Sequence, residues 1–334
     1  MSNNILMITY FFDEKDGVGS LRSKTLNKFL NKNNISTRVV DKKFFGEIIS
    51  KSFILWCFAV FLKILFSKEK KVYISCGPFQ HLIFVALASF LGRKKLIIDF
   101  RDPWSLNIRR GYNKTVKVNK LKFIISSSIE RLSYIICDTF IVCTQGMYNE
   151  YKYLFRNEDK LVLMTNGHDV NLKLKTRSID LSNLNVVCLG KFAEYDEDKA
   201  RCTLNEVKNL VPNIDGLVLH FIGSKKDINI KVLDDLNLRD KAIFYPRMEY
   251  REALEIASKC DLGMLIMRDE DIEYGTKVFD YIGLGLLIVG SFNNNSIFKD
   301  TFKEYIYSRN NSSIKNVNQY KRNNIYLKNI KIFS

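Results

Sequence analysis

A chain of 334 residues is long enough for two α/β cores, and 46% hydrophobic with 26% charged residues is globular composition, which excludes a disordered or fibrous protein. The formal net charge of +16, from 52 Lys and Arg against 36 Asp and Glu, favours polyanionic partners: nucleic acid, anionic lipid or phosphorylated small molecules. Seven Cys without a CxxC pair exclude a zinc ribbon, and three widely separated His set aside a His-based metal site.

Most of the Cys sit inside apolar runs, as Cys137 does in YIICD and Cys143 in FIVCT, which suits free thiols in a reducing cytosol. The N-terminus MSNNILMITYFF has neither a basic n-region nor a cleavage site, and it reads as a first strand over 5–11. The loop DEKDGVGS follows, then a helix over 21–31, a strand over 36–41 and an apolar helix over 47–66. The most apolar part of that helix, Phe53 to Phe66, is too short to span a bilayer. It reads equally as a buried core helix or as one lying on an anionic membrane beside the KEKK run at 68–71. Strands over 72–75 and 96–100 flank a helix over 80–91, and a long helical stretch over 115–136 precedes strands over 139–143 and 161–166.

Periodicity is lost after Asn166-Gly167, and 169–184 reads as the crossing between a first domain, 1–168, and a second, 185–292. The second series has strands over 185–190, 217–223, 242–246, 262–267 and 286–291, with helices over 197–210, 229–236, 249–259 and 276–283. Such alternation predicts parallel sheets wrapped by helices, with strands apolar along their length. The tail, 293–334, is polar and rich in Asn and Lys, with one helix expected near 298–306.

Parallel sheets carry their chemistry in loops at strand C-termini, where helix N-termini offer amides to phosphate. That rule selects four segments. Gly17 and Gly19 lie between the first strand and helix, as an active-site loop or a plain turn. The block Asp99-Phe100-Arg101-Asp102-Pro103-Trp104 ends the strand over 96–100; charge at this position faces a crevice, unless Arg101 merely pairs with Asp99 or Asp102. Lys191, in Gly190-Lys191-Phe192, can meet a diphosphate as a point charge. In Tyr274-Gly275-Thr276-Lys277-Val278-Phe279-Asp280, Thr276 can cap a helix whose amides face an anion, with Lys277 alongside and Asp280 one turn on, spaced for a ribose hydroxyl pair. Arg247 is a candidate of the same kind, whereas His81, at a helix start, reads more readily as structural.

These segments, with the ERLSYIICDTFIVCTQGM run and the TNGHD crossing, resemble the retaining GT-B glycosyltransferases of the family-4 type, particularly bacterial members that build surface polysaccharides. The resemblance runs from residue 5 to about 291 and implies an α/β, GT-B fold: two Rossmann-like domains facing each other across a cleft. It implies that Lys191 and Lys277 hold the donor diphosphate, and that Asp280 stands where the family has a ribose-binding Glu; Arg247 and Thr276 join the donor-binding set on their own reading as a strand-end cation and a helix cap. Gly17 and Gly19 would lie near the donor phosphates, and Arg101 and Asp102 would face the transferred sugar and acceptor. Where many relatives carry two Glu eight positions apart, this chain has Ile272 and Asp280, with Glu273 beside the first.

The function expected is therefore retaining, metal-independent transfer of a sugar from a nucleotide-diphosphate donor to a growing, lipid-linked glycan, with no cofactor and no nucleic-acid partner. The expected place is cytoplasmic, peripheral on the inner face of the plasma membrane. A sugar-nucleotide epimerase of the same fold and a non-catalytic, glycan- or nucleotide-sugar-binding subunit are the alternatives.

Overall fold

The structure is a computed structural model that describes residues 4–13, 18–110, 118–171, 179–311, 313–314 and 316–334. The chain divides into two compact units, Met1–Thr165 with Ile325–Ser334, and Asn166–Asn324.

The first unit runs β1 (Asn4–Thr9), α1 (Val18–Lys32), β2 (Ser36–Val40), α2 (Glu47–Ser50), α3 (Phe53–Leu65), β3 (Lys71–Cys76) and α4 (Leu82–Leu91). It continues with β4 (Lys95–Phe100), α5 (Ser105–Arg110), α6 (Lys120–Ile136), β5 (Thr139–Val142), α7 (Gln145–Phe155) and β6 (Leu161–Leu163). Its six strands form one parallel sheet in the order β2-β1-β3-β4-β5-β6. Right-handed crossovers put α1 on one face of that sheet and α3, α4, α6 and α7 on the other. The central strands are buried on both sides, as the buried Ile5 to Ile8 and Leu96 to Ile98 show.

Three local differences from the sequence reading have identifiable causes. The helix expected over 47–66 breaks into α2 and α3, because Ser52 accepts the Leu55 amide at 3.4 Å and caps a new start. Helix α6 begins at Lys120, where Asn119 accepts the Lys122 amide at 2.9 Å; positions 115–117 of the expected helix lie outside the described residues. Helix α7, absent from the sequence reading, opens on Thr144, whose hydroxyl accepts the Met147 amide at 3.0 Å. A capping Thr straight after a strand was the available signal.

The second unit runs β7 (Asn185–Leu189), α8 (Glu197–Leu210), β8 (Val218–Ile222), α9 (Lys226–Asp235), β9 (Ala242–Tyr245) and α10 (Tyr250–Ala257). It continues with β10 (Leu262–Met264), α11 (Lys277–Leu284), β11 (Leu287–Val289) and α12 (Ile297–Phe302). The five strands are parallel in the order β11-β10-β7-β8-β9. Asp196 caps α8 by accepting the Asp198 and Lys199 amides, each at 3.0 Å, so its side chain opens the helix.

The tail is more ordered than its polar composition implies. Phe298, Phe302, Tyr305 and Tyr320 are buried in the second unit, with the Phe302 ring 5.8 Å from Phe279 and 5.4 Å from Tyr320. The chain then passes through α13 (Arg322–Lys328), and its last residues belong to the first unit. There the Tyr326 hydroxyl donates to the Arg22 carbonyl at 3.2 Å, and Phe333 lies against Tyr73. Widely spaced aromatics between Asn and Lys carry this packing, and average composition hides them. The start of the stretch read as a crossing is likewise tied down in the second unit: Arg322 pairs with Asp169 at 2.8 Å, and the amide of His168, just before it, donates to the Tyr320 carbonyl at 3.0 Å. Positions 172–178 of that stretch lie outside the described residues.

Candidate functional site

The C-terminal edge of the second unit's sheet gathers the donor-side candidates. Helix α11 is pinned to that sheet by Tyr281, whose hydroxyl accepts the Leu189 amide at 2.9 Å and lies 3.0 Å from the Met264 carbonyl. The ring fits only because β10 has Gly263; a Cβ there would sit 2.5 Å from it. Pinning Tyr281 sets Lys277, one turn earlier, at the strand ends. Its ammonium donates to the Lys191 carbonyl at 3.1 Å and lies over the Tyr195 ring, 5.2 Å from the centroid. Gly190 accepts this approach with φ of 70°, and a Cβ at that position would meet the Lys277 Nζ at 3.1 Å. Burial pushes the Lys277 ammonium below the ordinary lysine value, so an incoming anion would relieve a desolvated cation.

Asp280, on the next turn of α11, is buried and accepts a hydrogen bond from the Tyr250 hydroxyl on α10. Burial raises its carboxyl to about 6, against the pull of Tyr250, Arg322 and Lys277. Thr276 stands at the N-cap of α11, but its side chain makes no capping bond, in contrast to the expected cap. Its backbone is helical there, so the hydroxyl is not aimed at the first-turn amides. Lys191 and Arg247 are exposed, Arg247 following β9 with its Cα near Gly223 at the end of β8. Glu194 joins two of these loops, accepting the Phe192 amide at 2.9 Å and the Lys225 amide at 2.6 Å. Burial alone would raise its carboxyl, but these amide donors hold it below the ordinary glutamate value.

In the first unit, the block at 99–104 divides its charges between interior and surface. Asp99 is wholly buried and pairs with Arg22 of α1, Nε to Oδ2 at 2.8 Å and Nη2 to Oδ1 at 3.1 Å. The Tyr73 hydroxyl donates to the same carboxylate at 2.5 Å. Arg22 also donates to the Met164 carbonyl at 2.8 Å, so one guanidinium joins α1, β4 and the end of β6. Arg101 pairs with neither Asp99 nor Asp102. It reaches back to the first loop and donates to the Gly19 carbonyl, and its Nε is buried without a partner among the described residues. Asp102 is left exposed. Beyond it, Trp104 stacks on Phe79 at 5.4 Å, and Ser105 donates its amide to the buried Glu130 at 3.0 Å. Burial lifts the Glu130 carboxyl to about 7, opposed by its bonds from Ser105 and Tyr151.

Within the second unit, then, the structure brings together Lys191, Thr276, Lys277 and Asp280, with Arg247 two strands away at the same sheet edge. Within the first it brings together Gly19 and Arg101, with Asp102 adjacent in the chain. Gly17 lies outside the described residues. His81 is core: fully buried, its ring edge-on to Trp56 at 5.4 Å. Sequence reading missed Tyr195 and Arg268, which lies 4.9 Å from the Tyr195 centroid, as well as Tyr250 and Arg22. Tyr195 was findable, being a few residues past Gly190 on the same strand-end loop. Arg268 and Tyr250 reach the donor-side cluster, and Arg22 reaches Asp99 within the first unit, across long sequence separations.

No protein-family profile matches the chain, and no curated protein is detectably similar in sequence. Solved structures do share its fold. A lipopolysaccharide outer core galactosyltransferase superposes with a TM-score of 0.60 at 10% identity, over 98% of this chain and 99% of that one. A sucrose-phosphate synthase from Thermosynechococcus elongatus gives 0.59 at 10% identity, over 85% and 80%. A UDP-GlcNAc 2-epimerase from Neisseria meningitidis, bound to UDP-GlcNAc, gives 0.54 at 12% identity, over 98% and 99%. The chain has the GT-B architecture of two Rossmann-like α/β domains, the fold class that the sequence predicts.

Proposed function

We propose that the chain is a glycosyltransferase that moves a sugar from a nucleotide-diphosphate donor to a growing glycan, with retention and without a metal or cofactor. One observation carries the reading: Lys277, desolvated and folded over Gly190-Lys191, sits one turn before a buried carboxylate at the C-terminal edge of a parallel sheet. Cations beside a helix start suit a diphosphate, and a carboxylate one turn on suits ribose hydroxyls. Lys191, Lys277 and Arg247 meet the diphosphate, the amides at Thr276 face it, and Asp280 takes the ribose. These groups stabilise the departing diphosphate electrostatically, the task a metal performs elsewhere. By the family resemblance alone, Gly17 and Gly19 are assigned to the donor-phosphate side and Arg101 and Asp102 to the transferred sugar and acceptor, Asp102 as a positioning and electrostatic group. Activity should persist in chelator.

The finer part of the reading rests on the family resemblance: an acceptor carried on a lipid, a bacterial surface polysaccharide as product, and work at the inner face of the cell membrane. One structural neighbour is bound to UDP-GlcNAc, so UDP-sugars head the donor screen. The test is thermal shift with UDP-, GDP-, dTDP- and CMP-sugars, repeated on Lys277→Ala. A donor at 100-fold its dissociation constant adds about 2.7 kcal/mol of stability. Stabilisation by one donor, lost in the variant, supports the reading; stabilisation by none overturns it. An epimerase is the second reading, because an epimerase of the same fold matches over nearly the whole chain. Conversion of a UDP-sugar to its epimer without any acceptor would favour it.

A further inference from the structure

In a layered α/β unit each outer helix turns one face to the sheet and one to solvent, and the solvent face is ordinarily polar. The layer formed by α3, α4 and α6 departs from that rule. Along α3, Trp56, Cys57, Val60 and Ile64 are buried. On the outer side, Ile54, Phe58 and Leu62 are 74, 56 and 39% exposed, and Phe66, just past the helix, is 79% exposed. Residues four apart lie one above another on a helix, so these four form a continuous apolar row.

Helix α4 adds exposed Leu87, Phe90 and Leu91, and α6 adds exposed Leu121, Ile124, Ile125 and Ile135. Because α4 packs against both α3 and α6, the three apolar faces adjoin. Single exposed Leu residues need no explanation, but an apolar surface spread over three neighbouring helices does.

Charge identifies what covers this face. Positions 51–71 carry five Lys and one Glu, and positions 82–95 carry one Arg, two Lys and no acid. Positions 120–136 carry two Lys, one Arg and one Glu, and that Glu, Glu130, is buried. Lys51, Lys68 and Lys70 are exposed at the ends of α3, Arg93 and Lys95 beyond α4, and Lys120 and Lys122 at the start of α6. A second copy laid face to face would set these basic borders against each other. An anionic surface would neutralise them. No helix among the described residues is long and apolar enough to cross a membrane, so lipid contact at this face lies in the plane of the interface.

We infer that the outer face of α3, α4 and α6 docks on an anionic lipid bilayer, with Ile54, Phe58, Leu62 and Phe66 entering the acyl boundary and the flanking Lys and Arg meeting lipid phosphates. This adds a docking surface to the membrane-side reading given above. It involves only the first unit, whereas the donor cations belong to the second, and its test needs no turnover, so either can fail alone.

The experiment is co-sedimentation of the full chain with vesicles of phosphatidylcholine, with and without phosphatidylglycerol, at low and high salt. The wild type should bind the phosphatidylglycerol vesicles, and part of that binding should survive high salt. Ile54→Ser with Phe58→Ser and Leu62→Ser should lower partitioning by at least about tenfold. These side chains are exposed, so the melting temperature should hold. Lys68→Gln with Lys70→Gln should weaken binding and flatten its salt dependence. Phe66→Trp should be quenched by brominated acyl chains, a readout independent of how the Ser variant folds. Failure of the wild type to bind either vesicle, equal binding by the triple Ser variant, or no quenching in bound protein would overturn the inference. So would a dimer in light scattering that the Ser substitutions dissociate, which would assign the face to a second copy.

Discussion

Replacing Asp280 with Asn should stabilise the fold and weaken donor binding in one step. The carboxyl is 8% exposed, and burial lifts it from the ordinary 3.8 to about 6, against the pull of the Tyr250 hydroxyl, Arg322 and Lys277. The folded state therefore keeps a proton that the unfolded state has already released, and stability falls as pH rises between those two values. A displacement of about two pH units, at about 1.36 kcal/mol each, comes to about 3 kcal/mol lost above pH 6. Asn keeps an oxygen for Tyr250 and carries no charge. The variant should then gain up to about 3 kcal/mol near pH 7.5 and almost nothing near pH 3.5. Urea unfolding of both proteins across that range measures the difference, and thermal shift with the best donor measures the loss of ribose contact. A variant less stable at every pH would refute the reasoning, since it would mean that Arg322 and Lys277 repay the burial in full. A variant that is stabilised and still binds donor as before would remove Asp280 from the site.

Asp99→Asn should be strongly destabilising, by about 3–5 kcal/mol in urea unfolding, because it leaves the buried Arg22 guanidinium without its counter-charge. A loss below about 1 kcal/mol would show that Arg22 is satisfied without Asp99, the Met164 and Thr165 carbonyls being among its other partners. His81→Leu should flatten the acid limb of the stability profile. Burial lowers the imidazole to about 4, so the folded state stays neutral where the unfolded one gains a proton, and stability is lost as pH falls below 6.5. The variant should gain about 3 kcal/mol as pH approaches 4, and an unchanged acid limb in a pH series of urea melts would contradict this.

How legible was the site? Gly190-Lys191 and Thr276 to Asp280 were readable because chain order alone assigns loops to the C-terminal edge of a parallel sheet. Asp99, Arg101 and Asp102 were readable as a block but not as individuals. Which of them turns inward depends on Arg22, 77 positions away from Asp99, and on Gly19, 82 positions away from Arg101. The Tyr250 bond to Asp280 spans 30 positions and has no local signature.

Hydrophobic periodicity is a property of neighbours in the chain, so the sequence by itself determined the strands and helices, the two parallel series and the loops that end them. It also determined that α3 is apolar on every side. Taken alone, that pattern reads equally as a buried helix or as one lying on a membrane surface. Only the layering of α3 and α4 on one face of the sheet decided that half of it stays uncovered. Tertiary structure likewise decided that the tail is packed, because isolated aromatics become a core only when distant elements surround them. Pair partners, protonation and exposure are set by groups far apart in the chain, and these three properties separate a surface lysine from a half-buried cation over Gly190.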